Sequence, residues 1–126
     1  MSGSGERLRF RRRHRVRGRR EFEAVYAVRT SKRIGPLLVH ARPNGMEHSR
    51  LGLAVPRRVG SAPRRNRIRR RIREAFRLAL PELPPIDLVV HVRPHDPLLG
   101  TDELGAILRR AAGGLAARLG IDGGPG

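Results

Sequence analysis

Residues 57–77 hold ten arginines and one acid, Glu74, and no fold can bury that many guanidinium groups. The stretch reads as a helix with two unlike faces. At 100° per residue, Ile68, Ile72, Ala75, Phe76 and Ala79 form one apolar stripe; Asn66, Arg70, Arg73 and Arg77 lie opposite, with Arg65 and Arg69 on a flank. Ser61 is the expected N-cap, and Pro63 fits a first turn whose amide hydrogens lack intrahelical partners. Pro81, Pro84 and Pro85 end the helix near residue 80. Solvated helix faces ordinarily alternate charge sign so that i,i+4 pairs form. Here nothing offsets the repulsion, so the face calls for a polyanion.

The rest of the chain agrees. Of 126 residues, 28 are basic and 11 acidic, a net charge of +17, and Lys32 is the only lysine. Arginine's planar fork matches phosphate oxygens in pairs, which puts nucleic acid first among partners. The surplus is confined to residues 1–77, with 24 bases and 5 acids, against 4 bases and 6 acids afterwards. Absence of cysteine removes disulfides, thiolate catalysis and cysteine-bound zinc, and suits a reducing compartment. No run reaches the roughly 20 apolar residues needed to cross a bilayer, and no signal-peptide pattern follows the basic start, so the expected location is the cytoplasm. Residues 1–14 are expected to form a disordered basic tail, 15–119 one domain, and 120–126 a flexible tail.

Phe22, Val25 and Tyr26 recur at helical spacing and predict a short helix over 19–28. Residues 37–41 and 50–55 read as strands separated by the turn-forming 42–45, a hairpin pattern. In the second strand Leu51, Leu53 and Val55 share one face, while Gly52 and Ala54 leave the other nearly bare and in need of a close neighbour. Residues 86–92 are a β-branched strand. Thr101 is the expected cap of a last helix that buries Leu104, Ile107, Leu108, Ala111 and Leu115; Gly113 and Gly114 predict fraying over 113–119. This interleaving gives helices packed on a mixed sheet.

No nucleophile elbow, carboxylate cluster or phosphate-cradling glycine loop is present. His91 and His95 are the only metal-like pair, and an extended chain puts them about 13 Å apart, too far for one ion. Phe22 and Tyr26 fit a core, or a platform on which unpaired bases stack. A reader of duplex DNA needs base-discriminating side chains, and the cationic helix offers only Asn66.

Val55-Pro56-Arg57-Arg58-Val59-Gly60 followed by Arg64-Arg65-Asn66-Arg67-Ile68-Arg69-Arg70-Arg71-Ile72-Arg73 closely resembles the signature of the bacterial ribonuclease P protein family. The resemblance implies an α+β fold, an αβββαβα two-layer sandwich with a left-handed βαβ crossover shared with a ribosomal protein domain, and a short strand near 30–33. It implies a protein that is not itself the catalyst: an RNA subunit, using Mg²⁺ bound mainly by that RNA, hydrolyses precursor tRNA to remove its 5′ leader. By position in the motif, Arg57, Arg58, Arg64, Arg65, Asn66, Arg67, Arg69, Arg70 and Arg73 should contact the RNA subunit, and Phe22, Tyr26 and His40 the leader. His40 stands where the family often has an aromatic ring, and Pro56 where it has a small hydroxyl residue. The implied partners are the RNA subunit and precursor tRNA, with no membrane and no obligate protein partner. A ribosome-associated RNA-binding protein is the alternative, and a polybasic membrane-surface protein a more distant one.

Overall fold

The computed structural model describes residues 12–121. Its centre is a four-stranded sheet of β1 (Ser31–Ile34), β2 (Leu37–Pro43), β3 (Arg50–Ala54) and β4 (Ile86–Val92), in the spatial order β1-β2-β4-β3. Helix α1 (Gly18–Ala27) precedes the sheet, α2 (Ala62–Ala79) joins β3 to β4, and α3 (Thr101–Arg118) follows β4. β1 and β2 are antiparallel and form the tight hairpin, with Ile34 opposite Leu37 and Gly35 at φ +58° in the turn. β2 and β4 are antiparallel, and β3 and β4 parallel, so β3, α2 and β4 make a βαβ unit.

The hairpin expected between β2 and β3 does not form, because β4 lies between them. β4 is the strand best suited to the centre: Ile86 to Val90 and Val92 are all buried, on both faces, the pattern of a strand covered on two sides. The turn-forming residues after β2 instead span the extra strand, and Asn44 closes that loop by donating from Nδ2 to the His48 carbonyl at 3.1 Å.

Strand alternation sorts the sheet's two faces. Leu37, Val39, Ala41, Leu51, Leu88, Val90 and Val92 face α2 and α3 and form the main core with Ile68, Ile72, Phe76, Leu104, Leu108 and Leu115. On the opposite face α1 packs through Val25 onto Val89 and Val16, with Phe22 and Tyr26 at the margin. α1 has only ten residues, too few to be stable alone, so this contact holds it in place.

Two expectations about α3 change. Gly100, not Thr101, is the N-cap, and Glu103 Oε1 accepts its amide hydrogen at 3.1 Å. The helix also continues through Gly113 and Gly114 to Arg118, because Ala111, Ala112, Leu115 and Ala116 are fully buried. Burial of Leu115, about 1.5–3 kcal/mol, with about 0.8 kcal/mol for each of the three alanine methyls, outweighs about 1 kcal/mol per glycine. At the chain ends, Arg12–His14 is a 3-10 turn with His14 buried, correcting the inner edge of the expected tail; residues 1–11 and 122–126 lie outside the described range.

The α1 side also holds a buried ion network that no motif announces. Asp87, fully buried, accepts bonds from Arg50 Nε (2.8 Å) and Nη2 (2.7 Å), Arg42 Nε (3.0 Å) and Asn44 Nδ2 (2.9 Å). Arg50 Nη1 also reaches Glu21 Oε2 at 3.4 Å, tying α1 to β3 and β4. Burial alone would push the Asp87 carboxyl up; the bonds from Arg50, Asn44 and Arg42 outweigh it and hold it below the usual aspartate value.

Candidate nucleic-acid interface

α2 starts as the sequence predicts: Ser61 caps it, its hydroxyl accepting the Arg64 amide hydrogen at 3.4 Å. Ile68, Ile72, Ala75, Phe76 and Ala79 are buried, which turns the other side of the helix outward. Asn66, Arg67 and Arg70 are exposed there, and with Pro63, Arg69 and Arg73 they border an open depression. Arg69 Nη1 donates to Asn66 Oδ1 at 2.8 Å, orienting the asparagine within the cationic row. Arg65 Nε donates to the Gly60 carbonyl at 3.2 Å, and Arg57 and Arg58 are exposed on the 3-10 turn Arg57–Val59 leading into the helix.

Not every arginine of the motif shares this surface. Arg64 Nη2 donates to the His95 carbonyl at 2.6 Å and meets Asp96 at 3.3 Å. Arg71 Nη1 donates to the Leu99 carbonyl at 3.1 Å. Both tie the loop after β4 to α2. Arg77 is paired with Glu74.

A second groove runs between α1, β3 and α2, bordered by Arg15, Arg17, Phe22, Gly52, Arg69 and Arg73. The bare face foreseen in β3 is what lets Phe22 in: a Cβ on Gly52 would lie 2.7 Å from Phe22 Cζ. Burial lowers the Arg73 pKa, and the charges of Arg15 and Arg69 lower it further. Positive charge is therefore concentrated beside an aromatic ring, and an anion placed there would relieve the repulsion. Arg69 and Arg73 border both the groove and the outer depression, making one continuous surface.

Farther along α1, Tyr26 enters a cluster of three half-buried rings. Ring centroids are 5.0 Å apart for Tyr26–His40, 5.4 Å for Tyr26–His91 and 5.1 Å for His40–His91. The Tyr26 hydroxyl and His91 Nε2 share a 2.7 Å hydrogen bond. Burial lowers the pKa of both histidines, and for His40 the neighbouring His91 adds to it; burial raises that of Tyr26. Phe22 and Tyr26 are 6.4 Å apart between centroids on one face of α1, and Tyr26 lies between Phe22 and His40 in the chain of ring contacts. His91, which the sequence offers only as half of a metal-like pair, completes the cluster. Its parity in β4 was the available signal, since it shares a face with Asp87 and Val89, toward α1.

An α+β fold with an arginine face on one helix, continuous with a groove that holds the Phe22 ring, makes a surface suited to a polyanion. The family model described as Ribonuclease P matches residues 10–113, and the chain belongs to the ribonuclease P protein family. Its members are protein components of a tRNA-processing ribonucleoprotein, and the ribosome-associated alternative finds no support. Among relatives, the ribonuclease P protein component of Chromobacterium violaceum is 43% identical over 86 residues, 68% of this chain and 71% of that protein. That of Thermotoga maritima is 40% identical over 82 residues, 64% of this chain and 70% of that one. Two solved structures share the fold. The Thermotoga maritima RNase P protein is similar at TM-score 0.63 and 33% identity, covering 76% of this chain and 96% of that one. The Staphylococcus aureus protein is similar at TM-score 0.68 and 26% identity, covering 78% and 91%. Among the described residues, no helix is long and apolar enough to cross a membrane.

Proposed function

We propose that the chain binds the ribonuclease P RNA through the outer face of α2 and the 5′ leader of precursor tRNA through the cleft beside α1, leaving phosphodiester hydrolysis to the RNA. The observation that carries this reading is the pair Arg69 and Arg73, which border both surfaces at once. Asn66, Arg65, Arg67 and Arg70 face the RNA subunit, with Arg57 and Arg58 adding phosphate contacts at the entry to the helix. Arg64 acts mainly by holding the loop after β4. In the cleft, Phe22, Tyr26 and His40 give unpaired bases a stacking surface, and such stacking, worth roughly 1–3 kcal/mol per base, tolerates any leader sequence.

The Mg²⁺ that hydrolysis uses is assigned in this reading to the RNA, and three carboxylates on the α1 and α2 sides of this chain are already engaged. Asp87 is sealed from water and taken by Arg50, Arg42 and Asn44. Glu21 is held by Arg50 and by the Arg17 amide, and Glu74 by Arg77. Precursor tRNA would be met in the cytoplasm. Photocrosslinkers at positions 22 and 67 of the reconstituted complex test the division of labour. Position 22 should link to the leader and position 67 to the RNA subunit; a leader-free pattern at position 22 would contradict it.

A further inference from the structure

His91 belongs to no part of the arginine motif, yet it packs against both other rings of the cluster, Tyr26 and His40. It comes from β4, the central strand, hydrogen-bonded on both sides to β2 and β3, so its backbone is among the most firmly held in the molecule. Tyr26 comes from α1, a helix of ten residues that depends on its packing for stability. The 2.7 Å bond between the Tyr26 hydroxyl and His91 Nε2 therefore ties a ring on the less secure element to a fixed point on the more secure one. His40 sets the other side, its ring at 75° to that of Tyr26 and 66° to that of His91. With the hydroxyl bound to His91, the ring is held in one orientation against the sheet.

We propose that His91 is a positioning residue for single-stranded RNA, holding the Tyr26 hydroxyl so that the ring stands in a fixed plane beside the cleft. This rests on the leader-binding role assigned above. Preorganising the ring lowers the cost of ordering it when a base stacks on it. His91 acts through Tyr26, so the two should behave as one unit and not as two independent contacts.

The test is a double-mutant cycle on the reconstituted ribonucleoprotein, read as its affinity for leader-bearing precursor tRNA relative to mature tRNA. Tyr26→Phe and His91→Phe should each reduce that preference about three- to tenfold, the scale of one hydrogen bond, and the double variant should reduce it no further. His91→Gln, whose amide can still bond the hydroxyl, should restore most of the preference. Thermal melts separate these effects from loss of fold, and Tyr26→Phe carries the test if His91→Phe does not fold. Additive losses, or an unchanged preference in a folded His91→Phe or Tyr26→Phe protein, would overturn the positioning role. Phe22→Ala and Tyr26→Ala address the underlying reading separately: if both fold and keep full preference, the cleft does not hold the leader and the inference falls with it.

Discussion

Asp87 shows how much a single side chain organises here. Sealed in the sheet and bonded by two arginines and Asn44, it fixes the start of β4 to β3, to the end of β2 and to the loop after it. Asp87→Ala would leave Arg50 buried with its main counter-charge gone, and breaking such a pair costs about 3–5 kcal/mol. A denaturant titration should show that loss. The carboxyl is held below its ordinary value, so its stabilisation is complete above about pH 4 and lost as acid takes the pH down through that ordinary value toward the folded one. The histidines of the ring cluster act in a higher window. Burial lowers both pKa values, with His91 adding to the effect on His40. Below about pH 6.5 the unfolded chain takes up protons that the folded one resists, and stability falls. Melting temperature should decline between pH 7 and pH 5.5, and the decline should flatten in the double variant His40→Phe/His91→Phe. An unchanged slope would exclude the cluster as its source.

At the scale of elements, α2 was the most legible part of the chain. Its cap, its length, its buried stripe and its proline stop follow from periodicity and local chemistry alone, and the structure places each as read. Strand order was not legible, because the turn residues after β2 signal a change of direction without saying which strand comes next. Only the two-sided burial of β4 decides that, and burial is a property of the assembled sheet. For the same reason neither the Asp87 network nor the Tyr26–His91 contact can be read from the sequence: their members are 37 to 45 and 65 residues apart. The glycines of α3 signal fraying by local propensity, and the packing of Leu115 and its neighbours overrides that signal. At Gly113 a Cβ would meet nothing within 4 Å, so Gly113→Ala should stabilise the protein by up to about 1 kcal/mol. A raised denaturation midpoint with unchanged m would check it. Arg67 and Arg70 make the corresponding test for α2. Both are exposed, so replacing them with alanine should leave stability nearly unchanged. It should flatten the slope of log affinity for the RNA subunit against log salt by about two, one released counterion per phosphate contact.

For the whole molecule, charge and packing divide the labour. One face of the sheet is sealed by α2 and α3 and supplies most of the buried apolar surface. The other is only partly covered by α1 and keeps rings and cations at the surface. A net charge of +17 would draw the protein to any polyanion; in the function proposed above, shape and ring placement supply the selection that charge cannot. The most direct measurement is cleavage of precursor tRNA at limiting Mg²⁺ by ribonuclease P RNA alone, by this chain alone, and by the two together. The chain alone should give no cleavage, and the pair should remove the leader faster than the RNA does. Cleavage by the purified chain in the absence of RNA, or no gain from adding the chain to the RNA, would contradict it.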